Sequence, residues 1–167
     1  YATMSPKYEA SILKAFRDLF LKDLIYKGKK PVYWDATTAS AHAEAEIEYQ
    51  EHESPSVYVK FPVQGEKDKY VVIWTTTPWT LPANLGVSFG EKIAYEVVET
   101  EQGSLVLAVE LAPKVLEVAG LTAKSRKPIS VDEIKALQVR HPFIDRESKV
   151  LFGDHVTVEA GTGIVHT

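Results

Sequence analysis

Trp74-Thr75-Thr76-Thr77-Pro78-Trp79-Thr80-Leu81-Pro82-Ala83-Asn84 follows directly on the β-branched run Val71-Val72-Ile73, and this junction decides how the rest of the chain is read. Three β-branched apolar residues before Trp74 predict a buried strand. Two prolines close behind stop it from continuing as a central one, because proline has no N–H to give to a ladder. The threonines therefore sit where a strand breaks. Side chains alternate along extended chain, so Thr75, Thr76 and Thr77 do not all face one side. Each hydroxyl offers one donor and two acceptor lone pairs to whatever covers the strand end. Taken alone, a threonine run is also an ordinary strand preference and Pro78-Trp79 an ordinary turn filler.

On either side of this junction the pattern is β-rich. Upstream, Val57, Val59 and Phe61 alternate with Tyr58 and Lys60 and stop at Pro62; downstream come Leu85–Phe89, Tyr95–Val98 and Leu105–Val109, separated by Gly90-Glu91-Lys92 and Glu101-Gln102-Gly103. Short strands at that spacing suit a barrel or sandwich rather than a β-α-β sheet. Ala112 to Ala119 predicts a helix stopped by Gly120, and Ser130-Val131-Asp132-Glu133 a capping box opening a short helix through Leu137. Thr122 to Pro128 reads as a returning strand. Lys149–Phe152 and His155–Val158 flank Gly153-Asp154 with the spacing of a two-residue hairpin, which makes Asp154 a turn former. Gly161-Thr162-Gly163 lacks the following helix and lysine of a phosphate-cradling loop, so its glycines are read as permitting close backbone approach at a pocket edge.

The N-terminal third reads differently. Ser5-Pro6 predicts a helix start, and Tyr8, Ile12, Phe16 and Leu19 recur at helical spacing as a stripe laid against the domain. Lys22, Lys27, Lys29 and Lys30 gather after it as a solvated basic face. Pro31 to Trp34 predicts a short strand, Asp35-Ala36-Thr37-Thr38 a loop, and the alternation through Ile47 and Tyr49 a half-buried strand that puts Glu44, Glu46 and Glu48 on its solvated face. His141, placed before Pro142 with no nucleophile arrangement around it, is read as a turn residue.

At 167 residues the chain is the size of one domain with a proper core. Its net charge of −4 excludes a surface that grips nucleic acid everywhere, so any RNA contact is local. The absence of cysteine excludes disulfides, thiolate metal sites and a cysteine nucleophile. No apolar run reaches the roughly 18 to 20 residues of a membrane span, and no signal-peptide order is present, which predicts a cytoplasmic protein. Opening on Tyr1-Ala2-Thr3-Met4, it reads as a piece of a longer polypeptide.

The string Thr75-Thr76-Thr77-Pro78-Trp79-Thr80-Leu81-Pro82-Ala83-Asn84 resembles the threonine-rich signature in the editing domains of isoleucyl-tRNA synthetases, a module inserted into the nucleotide-binding catalytic domain of a class I synthetase. Thr77 and Trp79 stand where the valyl and leucyl relatives carry arginine and an acidic residue. Lys27–Trp34 and Ser40–Tyr49 resemble the opening segment of the same insertion, although related domains often carry cysteine near Trp34 where Asp35-Ala36-Thr37 stand here. Gly153-Asp154-His155-Val156-Thr157 with Ala160–Thr167 resembles its second motif. The likeness spans nearly the whole chain.

The resemblance implies a mostly β fold with peripheral helices (α+β), a closed or nearly closed β-barrel, with residues 1–50 as opening helix and connecting strands and 54–167 as barrel core. It implies hydrolysis of valine wrongly esterified to isoleucine tRNA. Thr75, Thr76, Thr77, Asn84 and His166 are the implied catalytic residues; Trp79, Thr80, Gly163 and Thr167 are implied to bind substrate. No metal and no cofactor are expected in this domain. The implied partners are the acceptor end of isoleucine tRNA carrying valine and the parent catalytic domain, with no membrane, in a monomer. The family pattern continues beyond His166 to an aspartate that holds the substrate's ammonium group; that role is not transferred to Asp145 or Asp154. A non-catalytic tRNA-binding or spacer module, inactive as cut, and a valyl or leucyl relative remain the alternatives.

Overall fold

The computed structural model describes residues 2–167, and the chain divides into two compact units, residues 1–51 and 52–167. In the first unit, α1 (Pro6–Phe20) starts after an extended Ser5, with Pro6 in its first turn where a missing N–H costs nothing. No residue of α1 is buried. Its stripe of Ile12, Phe16 and Leu19 is exposed rather than covered as the spacing predicted. Helical periodicity reports which residues share a face, not whether anything lies on it.

β1 (Tyr33–Asp35) and β2 (Ser40–His42) pair antiparallel around a turn that Asp35 organises. Its Oδ1 accepts from the Thr37 N–H at 2.8 Å and its Oδ2 from the Thr38 hydroxyl at 2.7 Å. These bonds, that of Thr38 foremost, hold its carboxyl below the usual value. The strand predicted through Ile47 and Tyr49 is not formed. Glu44–Glu46 instead make a 3-10 turn, with the Glu46 carboxylate accepting from the Ala43 N–H at 2.8 Å. The three glutamates therefore share no strand face.

The second unit contains β3 (Val57–Pro62), β4 (Lys69–Thr75), β5 (Gly86–Phe89), β6 (Tyr95–Thr100), β7 (Gly103–Ala108), α2 (Ala112–Ala119), β8 (Ser125–Ile129), α3 (Val131–Lys135), β9 (Val139–Arg140), β10 (Glu147–Phe152) and β11 (Ile164–His166). One sheet has the order β3-β4-β7-β6-β8 and the other β11-β5-β10-β9. Val63 bridges to Val139, joining the β3 edge of the first to the β9 edge of the second. The result is a half-barrel, mostly β with small helices. Among the described residues no ladder joins β8 to β11, so the pairing does not close into the ring that the resemblance implied.

Period-2 alternation sorts the central sheet into two faces. Phe61, Val71, Ile73, Val106 and Ala108 point into the core between the sheets with Val87, Phe89, Ile134, Val139 and Ile164. Burying a Val, Ile or Phe side chain there stabilises the fold by about 1.5–3 kcal/mol each. Val72, Val98, Leu105 and Leu107 point the other way and are covered by Ala112, Val115 and Leu116 of α2. Gly120 ends α2 at φ 63, and Ser130 caps α3 by accepting from Glu133 N–H at 3.2 Å, both as the sequence predicts.

The predicted hairpin at Gly153-Asp154 is absent. β10 runs parallel to β5, Lys149 opposite Gly86 through Phe152 opposite Phe89, and 155–158 is not a strand. A partner more than sixty residues away in the chain takes the hydrogen bonds that a local return would have used.

The placement of β11 follows from an interrupted ladder. β3 pairs with β4 along its whole length, but β7 pairs with β4 only at Lys69, Tyr70 and Val71. Past Val71 the two strands part, and the 161–163 segment fills the gap: the Ala108 N–H donates to the Thr162 carbonyl at 3.0 Å. Gly161 (φ 75) lies against Trp74 and Gly163 (φ 73) against Ala108. Tyr95 fixes the segment from a third direction, donating its hydroxyl to the Gly163 carbonyl at 2.7 Å and accepting from the Gly90 N–H at 2.8 Å.

A Cβ on Gly163 would stand 2.4 Å from the Ala108 Cβ. Left-handed backbone strain and overpacking therefore act together, and Gly163→Ala is expected to destabilise the unit by about 2–4 kcal/mol. Urea denaturation checks this; a loss below about 0.5 kcal/mol, the usual range of surface changes, would show that the segment does not bear on β7.

Candidate functional site

β4 ends at Thr75, and a six-residue 3-10 segment, Pro78–Ala83, carries the chain on to Asn84. Thr75 is buried, and its hydroxyl oxygen accepts from the Thr77 N–H at 3.0 Å, tying the strand end to the turn. Its Oγ1 also lies 3.2 Å from the exposed Thr77 Oγ1. Leaving a buried donor unmatched costs about 1–3 kcal/mol, so Thr75 donates to Thr77 and the Thr77 hydroxyl keeps its own proton for the open side. Thr76, on the alternate side of the chain, is exposed and stands outside the recess described below.

Thr80 donates its hydroxyl to the Thr77 carbonyl at 2.7 Å and lies 3.2 Å from His166 Nε2. A hydroxyl has one proton, and the carbonyl can only accept. The contact with His166 therefore runs from the ring to the hydroxyl: Nε2 carries the proton and donates to Thr80. The lone pair falls on Nδ1, which is buried without a hydrogen-bond partner. Burial holds the His166 imidazole below its ordinary 6.5, and the His141 imidazole pushes the same way. In this arrangement His166 is a wall of the recess, with Nε2–H committed to Thr80 and its basic nitrogen buried.

Asn84 is 1 % exposed and occupied. Its amide donates to the carbonyls of Gly86 at 2.6 Å and Thr167 at 3.1 Å, and its Oδ1 accepts from the Ser148 hydroxyl at 2.6 Å. Both amide protons and one lone pair are spent on the protein. Thr167 is held in turn: its carbonyl accepts from Leu85 and Gly86 N–H at 2.7 and 2.9 Å, and its Oγ1 lies 3.2 Å from Ser88 Oγ.

Trp74, Thr75, Thr77, Thr80, Ala83, Asn84, Val165, His166 and Thr167 thus surround one open recess of about 410 Å³. Of the residues that the resemblance implicates, Thr75, Thr77, Thr80, Asn84, His166 and Thr167 line this recess together. Thr76, Trp79 and Gly163 are not among its walls: Trp79 is 71 % exposed and Gly163 is buried against Ala108. Gly163 borders instead a smaller recess of about 260 Å³ with His155, Thr157 and Glu159, which shares Trp74 and Val165 with the first. Trp74 and Val165 were missed as wall residues. The sequence signal was present for Trp74, since a half-buried aromatic at a strand end adjoins whatever the strand faces. His141 was read as a turn residue but is buried and bonded to the Leu81 carbonyl at 2.8 Å.

A recess of about 500 Å³ contains none of these residues, and two of the three lysines lining it, Lys69 and Lys127, are paired with Glu66 and Glu99. Among the described residues no three His, Cys, Asp or Glu side chains converge as a metal site, and no helix is long and apolar enough to cross a membrane.

Residues 1–149 match the sequence family of class I tRNA synthetases (I, L, M and V). Over its entire length the chain is 47% identical to the isoleucine–tRNA ligase of Bacillus cereus strain B4264 and to isoleucine–tRNA ligase 1 of Bacillus thuringiensis subsp. konkukian strain 97-27. It spans 19% of the length of each of these curated relatives. A crystal structure of GlLeuRS-CP1 is similar at a TM-score of 0.49 and 20% identity, covering 59% of this chain and 39% of that one.

The lowered His166 value has a sign that can be tested. The unfolded chain takes up a proton near 6.5 and the folded one resists, so the unfolded state binds more protons as pH falls below 6.5. Stability is expected to decrease with falling pH from there down through the folded value, and to level off below it. NMR titration should give His166 a midpoint below 6.5 with its neutral proton on Nε2. A higher midpoint, or a proton on Nδ1, contradicts the geometry described.

Proposed function

The chain belongs to the class I tRNA synthetases of the I, L, M and V group, and on that footing we propose that residues 52–167 hold a hydrolytic editing site that removes valine wrongly esterified to isoleucine tRNA. One observation carries the reading: hydroxyls from a broken strand end and an imidazole from β11, far apart in sequence, meet around a single open recess. The isoleucine–valine pair is itself the reference case for the limit at issue, since one methylene is worth only about 1–3 kcal/mol in a binding pocket. A second pocket that admits the smaller side chain supplies the missing discrimination.

The chemistry asks little of the protein. An aminoacyl ester is already activated, so water adds to the carbonyl carbon, the ester C–O bond breaks, and valine and a free ribose hydroxyl leave with no covalent enzyme intermediate. Thr77 has the uncommitted proton and the exposure to steady the carbonyl oxygen or the attacking water; one such donor is worth on the order of 10²–10³ in rate. Thr75 orients Thr77. Thr80 receives the His166 N–H, fixing the ring as a wall beside Trp74 and Val165. Asn84 anchors the floor. Thr76, Trp79 and Gly163 have no place in this assignment. The acceptor end of isoleucine tRNA is the partner, reached locally because the chain carries a net charge of −4. A monomeric, cytoplasmic protein joined to a parent synthetase fits this role, and it needs no metal or cofactor here.

Deacylation should be measured with valyl- and isoleucyl-tRNA(Ile), using the chain itself and the same residues set within a full-length isoleucine–tRNA ligase. Valyl ester should be hydrolysed and isoleucyl ester largely spared. Thr77→Val, which keeps the shape and removes the hydroxyl, should lower kcat by about 10²-fold with KM little changed. Hydrolysis of neither ester in either setting refutes the reading; binding without hydrolysis would favour a non-catalytic tRNA-holding module.

A further inference from the structure

We propose that His141, acting with Arg146 and Ser148, is a positioning clamp on the 3-10 segment that presents Thr80 and Asn84 to the recess; the inference rests on the editing reading for its kinetic consequence. A 3-10 run longer than three or four residues is uncommon, because its hydrogen bonds are poorly aligned. This one extends over Pro78–Ala83 and contains Pro82, which has no N–H to contribute. Backbone bonds tie its two ends, Thr80 N–H to the Thr77 carbonyl at 3.1 Å and Asn84 N–H to the Leu81 carbonyl at 2.9 Å, and side chains from outside the segment add to them.

One short stretch supplies that support. His141 follows β9, is 4 % exposed, and accepts at Nδ1 from the Phe143 and Ile144 N–H groups at 3.3 and 3.1 Å. An acceptor nitrogen carries no proton, so the proton is on Nε2, which donates to the Leu81 carbonyl at 2.8 Å. Phe143 and Phe61 hold the ring edge-to-face at centroid distances of 4.6 and 6.1 Å. Arg146 donates to the next carbonyl, that of Pro82, at 2.8 Å, and Ser148 donates to Asn84 Oδ1 at 2.6 Å. Three donors from 141–148 thus grip successive acceptors at Leu81, Pro82 and Asn84, and Leu81 is covalently next to Thr80. None of the three clamp residues lines the recess. The clamp sets where the Thr80 hydroxyl meets His166, and a misplacement of about 1 Å in such a group can cost on the order of 10²-fold in rate.

The test compares His141→Leu, which loses the donor, with His141→Gln, whose amide can still reach the Leu81 carbonyl. Valyl-tRNA deacylation should lose about ten- to a hundredfold in kcat with little change in KM for the leucine variant, with partial recovery in the glutamine variant. Amide hydrogen exchange at Thr80 and Asn84 should speed up in the first and recover in the second. Arg146→Met, which removes only the bond to Pro82, serves if His141→Leu does not fold, and should raise exchange at the same amides. Unchanged exchange and kcat in the variants, or equal loss in the leucine and glutamine variants, overturns the clamp. Should the wild-type residues hydrolyse nothing, the editing reading falls while the exchange data still decide the clamp.

Discussion

The site exists because two parallel strands stop pairing early. Had β7 stayed with β4 beyond Val71, the ladder would have sealed the edge leading to Thr75. Their parting leaves backbone groups of β7 to be satisfied, and Ala108 finds its acceptor in Thr162, drawing β11 into place beside the broken strand. Buried backbone donors are almost always paired, so the gap had to be filled by chain of some kind. Chain with glycines at the two closest approaches fits without a Cβ to obstruct it.

Once β11 is seated, a buried polar node fixes the rest. Asn84, Ser148, Ser88, Thr167 and the backbone of Gly86 share hydrogen bonds at the junction of β5, β10 and β11. Such a network is stable only when every member is matched, and loss of one partner strands the others in low dielectric. That makes Asn84 an architectural residue that happens to border the recess. The resemblance implied a catalytic role for Asn84, and in the structure its two amide protons and one Oδ1 lone pair are committed to neighbours.

Much of the fold was legible because period-2 alternation is a local signal. Val57–Phe61 carries it, Val71–Ile73 and Leu105–Leu107 are short apolar runs that mark buried strands just as locally, and Gly120 and Ser130 punctuate helices by short-range hydrogen bonding. Partner choice between distant strands is not local. The hairpin expected at Gly153-Asp154 gave way to a parallel pairing with β5, and the alternation at Ile47 and Tyr49 found no strand beside it. The site divides along the same line. The threonine run and His166 were visible as a resemblance, whereas the bracing by His141 and Ser148 depends on contacts across some sixty residues that no local pattern announces.

Trp74 stands between the two neighbouring recesses and is half-buried, while the other two tryptophans, Trp34 and Trp79, are 61 % and 71 % exposed. Its indole sits in a drier setting than theirs. Excited at the red edge of tryptophan absorption, the protein therefore carries an intrinsic optical gauge: the blue side of its emission belongs to the one indole that an occupant of either chamber would touch.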